Sequence, residues 1–562
     1  MLRKVTKRSL GMLLVMVMLI GSLSQVTTVE AKVKSSGKIR SVTLSNPGAG
    51  TTKSYKAKAF IYVPANVDVS NRPGTAPVLV VYGDKDFTAA TALETADASG
   101  IGEIAAKEEC IILFVNSIGK EWSEADKGSL SAVYTSYSIS SNKLFPDGVS
   151  SDGFFPGFPA RTYVFAEGSG ADFVSKYFLK GVDTQDYLTP NVIPFKPTGV
   201  ILSNVSEPAV TATEEIAAYI INGTKDIYNS FKALNVTSKK VGQQTSKIKK
   251  GFDKKAVLKG YDEVISTAIR LERNQLVDVP KYDKLGISEK REYIQHFDTK
   301  IEYYTYIPDN IKDSAKGSVP LLFLFHGFDA SAEQQAWLSE WPIIGKENGF
   351  MVVSVNRHTD YTPALMEELL DYLKREYPMI DSTKVYASGY SMGAVKTWGL
   401  ADEFAKEFAG IIPTNGAFNE PATKYPELIM PTFYIAGDSS QLPELPHQKF
   451  SIFGDDGTKP NSVDVRIAAL LKQNKVTDQY TFDSSADEVW GIKADKKYSV
   501  QSKLYSHVVT SVNLYNSVDG NCYTALAYNT NTGHIVISES CRTAWEFIKK
   551  FSRNADGTLT IK

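Results

Sequence analysis

Short apolar runs, each followed by turn or polar residues, recur through the second half of the chain. The runs are Pro320–Phe328, Gly349–Asn356, Phe408–Asn415 and Pro431–Gly437. A continuous apolar run of this length is typical of a strand that is buried on both faces of a parallel sheet. An amphipathic segment, Thr543–Phe551, predicts a helix near the C-terminus. The pattern therefore predicts an α/β fold, with a mostly parallel central sheet flanked by helices.

A further strand-like run ends in a serine motif that carries candidate chemistry. The segment from Lys384 leads into Gly389-Tyr-Ser391-Met-Gly393, which fits the pattern G-x-S-x-G. This pattern also occurs by chance, so its context decides its meaning. Between a strand and a helix it forms a sharp turn that exposes a strained serine, and the flanking residues must be small. Its position here predicts that Ser391 is a catalytic nucleophile.

The other groups needed to activate a serine follow in chain order. Asp438 directly follows the run that ends at Gly437, and His534 follows a final strand-like run, Cys522–Ala527. His534 is predicted to take the proton of Ser391, and Asp438 to orient the imidazole. Glu444, in the same loop as Asp438, is the alternative acid.

Acyl transfer also needs donors for the oxyanion that forms in the transition state. The backbone N–H of Met392 and one N–H from the loop His326–Phe328 lie where this architecture supplies them, and Phe328 is the predicted second donor.

Residues 290–553 resemble the α/β-hydrolase superfamily, and more narrowly the secreted polyhydroxybutyrate-depolymerase and feruloyl-esterase-like group. Most of the resemblance lies in Ile380–Gly393. It implies a serine hydrolase that cleaves carboxylic esters through an acyl-enzyme. A serine peptidase of the same fold and a noncatalytic protein that binds carbohydrate or the cell surface are the alternatives. About forty-five residues, Leu470 to Leu514, precede the last strand and suggest an insertion beside the site.

The first half of the chain repeats the apolar segments of the second half in the same order, which predicts two tandem α/β-hydrolase-type domains, residues 40–280 and 290–553. The matched segments include Ile61–Val67 with Thr305–Ile311, Ile111–Asn116 with Met351–Asn356, and Gly199–Asn204 with Gly410–Asn415. In this alignment Gly168 occupies the nucleophile position, and all six histidines of the chain lie at position 296 or later. The first domain is therefore predicted to be a degenerate, noncatalytic copy.

The composition adds a prediction of export and no sign of a cofactor. Residues 1–31 combine a basic start, an apolar stretch and a small-residue cleavage site, as a secretory signal peptide does; a membrane anchor is the alternative. The 62 basic and 63 acidic residues favour neither nucleic acid nor stable membrane insertion. No Cys/His cluster suggests a metal. We expect a secreted, cofactor-free enzyme whose partner is an ester substrate, one that can be linked to a polysaccharide.

Overall fold

The chain folds into two compact units in the computed structural model. The first unit lies within residues 1–277, and the second is formed by Asp278–Lys562 together with two three-residue segments. The structure describes residues 27–28, 37–68, 74–139, 157–185, 192–209, 214–271, 275–296, 299–328, 330–418, 420–440, 442–450 and 455–562. Apart from Thr27–Thr28, the predicted signal peptide lies outside the described residues. The boundaries at 40–280 and 290–553 stay predictions.

A nine-stranded sheet, in the order β1-β2-β3-β5-β4-β6-β9-β10-β11, forms the centre of the described part of the first unit. Its strands are antiparallel up to the β3–β5 pair and parallel from there on. The strands of this unit are β1 (Thr27–Thr28), β2 (Gly37–Asn46), β3 (Tyr55–Pro64), β4 (Val78–Tyr82), β5 (Ile112–Val115), β6 (Thr162–Glu167), β7 (Val182–Gln185), β8 (Val192–Phe195), β9 (Gly199–Ser203), β10 (Ala217–Ile221), β11 (Val241–Gln244), β12 (Ala268–Leu271) and β13 (Gln275–Asp278). The helices are α1 (Ala89–Ser99), α2 (Ile101–Lys107), α3 (Gly128–Ile139), α4 (Ser169–Tyr177), α5 (Lys225–Leu234) and α6 (Lys254–Gly260).

A ten-stranded sheet, in the order β14-β15-β17-β16-β18-β19-β20-β25-β24-β23, forms the centre of the described part of the second unit. The strands of this unit are β14 (Ile287–His296), β15 (Thr299–Pro308), β16 (Val319–Phe325), β17 (Met351–Val355), β18 (Ile380–Tyr390), β19 (Gly410–Thr414), β20 (Thr432–Gly437), β21 (Lys449–Phe450), β22 (Asp455–Asp456), β23 (Lys496–Gln501), β24 (Val509–Asn516), β25 (Cys522–Asn529), β26 (Phe551–Arg553) and β27 (Leu559–Ile561). The helices are α7 (Ala332–Ser339), α8 (Trp341–Asn348), α9 (Pro363–Glu376), α10 (Met392–Glu403), α11 (Ser462–Gln473) and α12 (Ser538–Ile548). Strands β17, β16, β18, β19, β20 and β25 run parallel to one another.

The apolar runs of the sequence form the buried strands, as predicted. Side chains of β16, β17, β19 and β20 are almost all inaccessible to solvent, and they pack with α9 and α10 in one apolar core. Both units therefore have the predicted class of fold, α/β with mostly parallel sheets flanked by helices.

The two sheets share one strand order over eight positions. In each, an antiparallel hairpin (β2–β3 and β14–β15) precedes a third strand that pairs antiparallel with it, and five parallel neighbours follow. The segment predicted to be an insertion, Leu470 to Leu514, includes a loop with the buried Trp490 and most of the hairpin β23–β24, which extends the second sheet. The first sheet has no described counterpart of this hairpin.

The three cysteines, Cys110, Cys522 and Cys541, are free thiols. Among the described residues, no helix has the length and apolar character needed to cross a membrane.

Candidate functional site

Ser391 lies at the turn between β18 and α10, in strained backbone geometry. Its φ and ψ are 55° and −114°, a conformation that L-residues rarely adopt, and its N–H donates to Thr414 O of β19 at 2.9 Å. A Cβ at position 389 would overlap the carbonyl of Gly393, and a Cβ at position 393 would overlap that of Phe325. The glycines of the motif are therefore required by close backbone packing, and the strain at Ser391 is held by the neighbouring strands.

A hydrogen-bonded chain joins Ser391 to a histidine and a carboxylate. The Nε2 atom of His534 lies 2.8 Å from Ser391 Oγ, and its Nδ1 atom lies 2.5 Å from Oε1 of Glu444. The serine and the carboxylate are buried, and His534 follows β25 in the loop that leads into α12. The imidazole is thus placed to accept the serine proton while the carboxylate holds its other nitrogen.

Asp438, the predicted orienting acid, does not contact His534 in the described structure, and this prediction is corrected. Its carboxylate accepts hydrogen bonds from Ser439 Oγ at 2.8 Å and from Thr532 N at 3.3 Å. The alternative acid, Glu444, bonds to the imidazole in its place. The place of Asp438 directly after β20 was therefore a misleading signal for the identity of the acid.

Four donors surround the buried carboxylate of Glu444. Besides His534, Ser440 Oγ donates to Oε1 at 2.5 Å. Asn415 Nδ2 and the N–H of Gly437 donate to Oε2 at 2.5 and 2.6 Å. Burying a carboxylate costs free energy unless hydrogen bonds replace its water, so these four bonds offset the burial of Glu444 and fix the direction of its carboxylate.

Two further residues that the sequence did not single out support the site. Tyr390 donates from Oη to the backbone carbonyl of His534 at 2.7 Å, and its ring lies 5.0 Å from the imidazole. Gln448 accepts at Oε1 from the N–H groups of Glu444 and Leu445, at 2.9 and 3.0 Å, which secures the loop that carries the acid. The only sequence signal for Tyr390 was its place inside the serine motif.

The two residues predicted to form the oxyanion site border Ser391 in different ways. Met392 is the first residue of α10, where a helix leaves its N–H groups without intrahelical acceptors. Phe328 follows Gly327, and a Cβ on Gly327 would lie within 3.5 Å of Ser391 Cβ, so this loop packs closely against the serine. The Phe328 side chain is 49% exposed. Their assignment as oxyanion donors stays a prediction.

Metal binding finds no support in the described residues, which contain no group of three or more His, Cys, Asp or Glu side chains arranged to hold a metal ion.

The first unit contains the same turn with a glycine in place of the serine. Between β6 and α4, Gly168 has φ 55° and ψ −127°, and its N–H donates to Ser203 O at 3.0 Å. These values match those of Ser391. Gly168 therefore occupies the nucleophile position of this strand-to-helix turn, as the alignment of the two halves of the chain predicted. We call this turn the elbow. The carboxylate of Asp84 accepts from the N–H of Ser169 at 3.0 Å, at the site that corresponds to Met392 in the second unit.

Comparison with known proteins identifies esterases among the similar ones, although no protein-family model matches the chain. A bifunctional acetylxylan esterase/xylanase from Neocallimastix patriciarum is 26% identical over 150 residues, which are 25% of this chain and 22% of that protein. An acetyl xylan esterase structure from Aspergillus awamori aligns with 46% of this chain and 99% of its own, at 13% identity and a TM-score of 0.30. A thermostable esterase structure aligns with 40% of this chain and 64% of its own, at 17% identity and a TM-score of 0.26. The relative and the two structures described here are named as esterases.

Proposed function

We propose that the second unit is a serine hydrolase that cleaves carboxylic esters through an acyl-enzyme on Ser391. The observation that carries the proposal is the continuous chain from Ser391 Oγ through His534 to Glu444, built on a strained elbow. A serine hydroxyl is a weak nucleophile near neutral pH, and this arrangement is the one that activates it.

The reaction follows from the positions of these groups. His534 accepts the proton of Ser391 as the oxygen attacks the ester carbonyl, and Glu444 stabilises the imidazolium that forms. The N–H groups of Met392 and Phe328 would bind the developing oxyanion. His534 then protonates the departing alcohol, and a water molecule releases the acid by the same steps in reverse.

We propose that the ester belongs to a plant-type polysaccharide, as an acetyl or feruloyl substituent, with a polyester as the alternative. The support is the similarity to the protein from Neocallimastix patriciarum, a bifunctional acetylxylan esterase/xylanase. Acetate release from acetylated xylan, hydrolysis of methyl ferulate and loss of polyhydroxybutyrate turbidity separate these three substrates directly.

The test of the reaction class is hydrolysis of p-nitrophenyl acetate by the full chain, alongside Ser391→Ala. We expect turnover by the wild type, covalent labelling by a fluorophosphonate, and loss of both in the variant. Turnover that persists in Ser391→Ala would reject the proposed nucleophile. Cleavage of peptide but not ester substrates would favour the peptidase alternative.

We also propose that the first unit is a noncatalytic copy of the second and that the chain is exported. The shared strand order and the Gly168 elbow support a duplication. The basic and apolar N-terminus supports export. Protease accessibility and mass spectrometry of the mature N-terminus after expression in a secreting host test the export.

A further inference from the structure

His326, which the proposed mechanism does not use, lies buried at the end of β16 beside the oxyanion loop. Its two ring nitrogens both have backbone partners. The N–H of Arg357 donates to Nε2 at 3.0 Å, and Nδ1 lies 2.7 Å from the carbonyl oxygen of Gly327. The side chain is 5% exposed, and burial lowers the pKa of His326 to about 4, so the ring is neutral at neutral pH.

These partners determine which nitrogen carries the proton. A backbone N–H can only donate, so Nε2 of His326 must accept from Arg357. A neutral imidazole with Nε2 as the acceptor carries its hydrogen on Nδ1. Nδ1–H therefore donates to the carbonyl of Gly327, to which the N–H of Ala330 also donates at 3.3 Å.

Holding this carbonyl also sets the direction of a neighbouring N–H group. The carbonyl of Gly327 and the N–H of Phe328 belong to one trans peptide, in which the two bonds point in opposite directions. The bond from His326 therefore turns the N–H of Phe328 away from the imidazole. Gly327 itself packs against the side chains of Tyr390 and Ser391.

We propose that His326 is a positioning residue that aims the Phe328 N–H at the oxyanion by holding the Gly327 carbonyl. This inference rests on the proposed esterase function and adds to it the device that preorganises one of the two donors. Because such a donor acts on charge that develops in the transition state, its misplacement lowers kcat more than it raises KM.

A second buried histidine fixes the other side of His326. The Nε2 atom of His358 donates to the backbone carbonyl of His326 at 2.6 Å, and the two rings lie 4.5 Å apart. Nδ1 of His358 is buried without a hydrogen-bond partner among the described residues. His358 thus supports the same loop without touching the Gly327 carbonyl, which makes it a matched control for general loop damage.

Two amide variants separate the roles of the ring nitrogens. The amide of asparagine replaces Nδ1 and can still donate to Gly327, whereas the longer amide of glutamine replaces Nε2 and cannot reach that carbonyl from the same direction. On p-nitrophenyl acetate we expect His326→Gln to lower kcat about 100-fold to 1000-fold, with KM changed less than about threefold. We expect His326→Asn to lose less than about tenfold. The melting temperatures of His358→Asn and His326→Gln report general damage to the loop. Where these temperatures are equal, His358→Asn should change kcat by less than His326→Gln does.

Equal losses in the asparagine and glutamine variants, or a larger loss with asparagine, would overturn the proposal, as would a loss confined to KM. Should the variants fail to fold, the tautomer of the wild-type protein still decides the geometry. Nitrogen NMR of protein labelled at its six histidines should show His326 protonated at Nδ1, and a hydrogen on Nε2 would refute the assignment. A folded wild type without ester turnover would instead reject the proposed function, and the tautomer would then bear on the loop geometry alone.

Discussion

The carboxylate that holds Nδ1 of His534 determines whether the imidazole can act as a base. Asp438 and Glu444 are both carboxylates of one loop, but only Glu444 bonds to His534. We expect Glu444→Gln to lower kcat for p-nitrophenyl acetate about 1000-fold to 10,000-fold, because an amide cannot stabilise the imidazolium and favours the wrong tautomer. Asp438→Asn should lower it less than about tenfold. The reverse order of these two losses would restore Asp438 as the orienting acid.

His326 also contributes a pH dependence of stability. Burial lowers its folded pKa to about 4 from 6.5, so the unfolded chain binds its proton more readily, and stability is lost as pH falls from about 6.5 to 4. The integrated effect is about 3 kcal/mol. The hydrogen bond to the Gly327 carbonyl and the charge of Asp360 oppose this shift, and burial also lowers the pKa of the neighbouring His358.

A comparison of the wild type with His326→Asn separates the effect of His326 on stability from the opposing effects of other groups. Burial raises the pKa of Glu289 to about 7, which favours the folded state at low pH, but this effect is common to both proteins compared. The melting temperature of the wild type should therefore fall more than that of His326→Asn between pH 7 and 4.5. Parallel curves for the two proteins would show that His326 can be protonated in the folded state.

At the scale of elements, the sequence correctly predicted the strands that are buried on both faces. It did not predict which acid bonds to His534, because contacts between loops determine that. Apolar runs are sufficient to identify β16 and β20 because burial on both faces leaves few other residue types. The position of Glu444 depends on a bond from Asn415, which follows β19 and lies 29 residues away in the sequence, and on a bond that its N–H donates to Gln448. Strand β23 gave no apolar signal because all six of its residues are exposed.

The loop before β23 depends on one carboxylate, Asp487. It accepts hydrogen bonds from the N–H groups of Val489 and Trp490, at 3.0 and 2.7 Å, and from Asn513 Nδ2 of β24 at 2.9 Å. Asp487→Ala leaves the buried donors of Trp490 and Asn513 without this acceptor, and we expect a loss of about 1–3 kcal/mol of stability. The exposed Asp483 is the control, since its alanine variant should melt close to the wild type. Chemical denaturation of both variants measures the difference.

The elbow of the first unit offers a test of its predicted inactivity. We expect Gly168→Ser in the Ser391→Ala background to restore no ester turnover, because the first 295 residues contain no histidine. A Cβ at position 168 would also overlap the Asp84 carboxylate, which accepts from Ser169 N. Turnover above the Ser391→Ala level would show that the first unit retains a usable base. The same substitution in the wild-type background should leave turnover unchanged.

At the scale of the whole molecule, all the proposed catalytic residues belong to one of the two units, although both units share a strand order. Every residue of the hydrogen-bonded site, from Tyr390 to His534, belongs to Asp278–Lys562, and this unit has its own apolar core. The first unit keeps the sheet order and the elbow geometry, but a glycine stands at the serine position. A folded sheet requires the strand order and the turn, whereas only catalysis requires a serine at the turn. The proposed duplication therefore predicts a first unit that keeps the fold without the activity.

This separation predicts how the two units contribute to turnover. A shortened chain, residues 279–562, should hydrolyse p-nitrophenyl acetate with a kcat within about threefold of the full chain, because small-ester chemistry needs only the second unit. If the first unit binds polymer, its removal should raise KM for acetylated xylan while kcat on the small ester stays constant, since a tethered polymer gains effective concentration at the site. Circular dichroism establishes that the shortened chain is folded. A folded fragment without small-ester turnover would show that the first unit takes part in the chemistry itself.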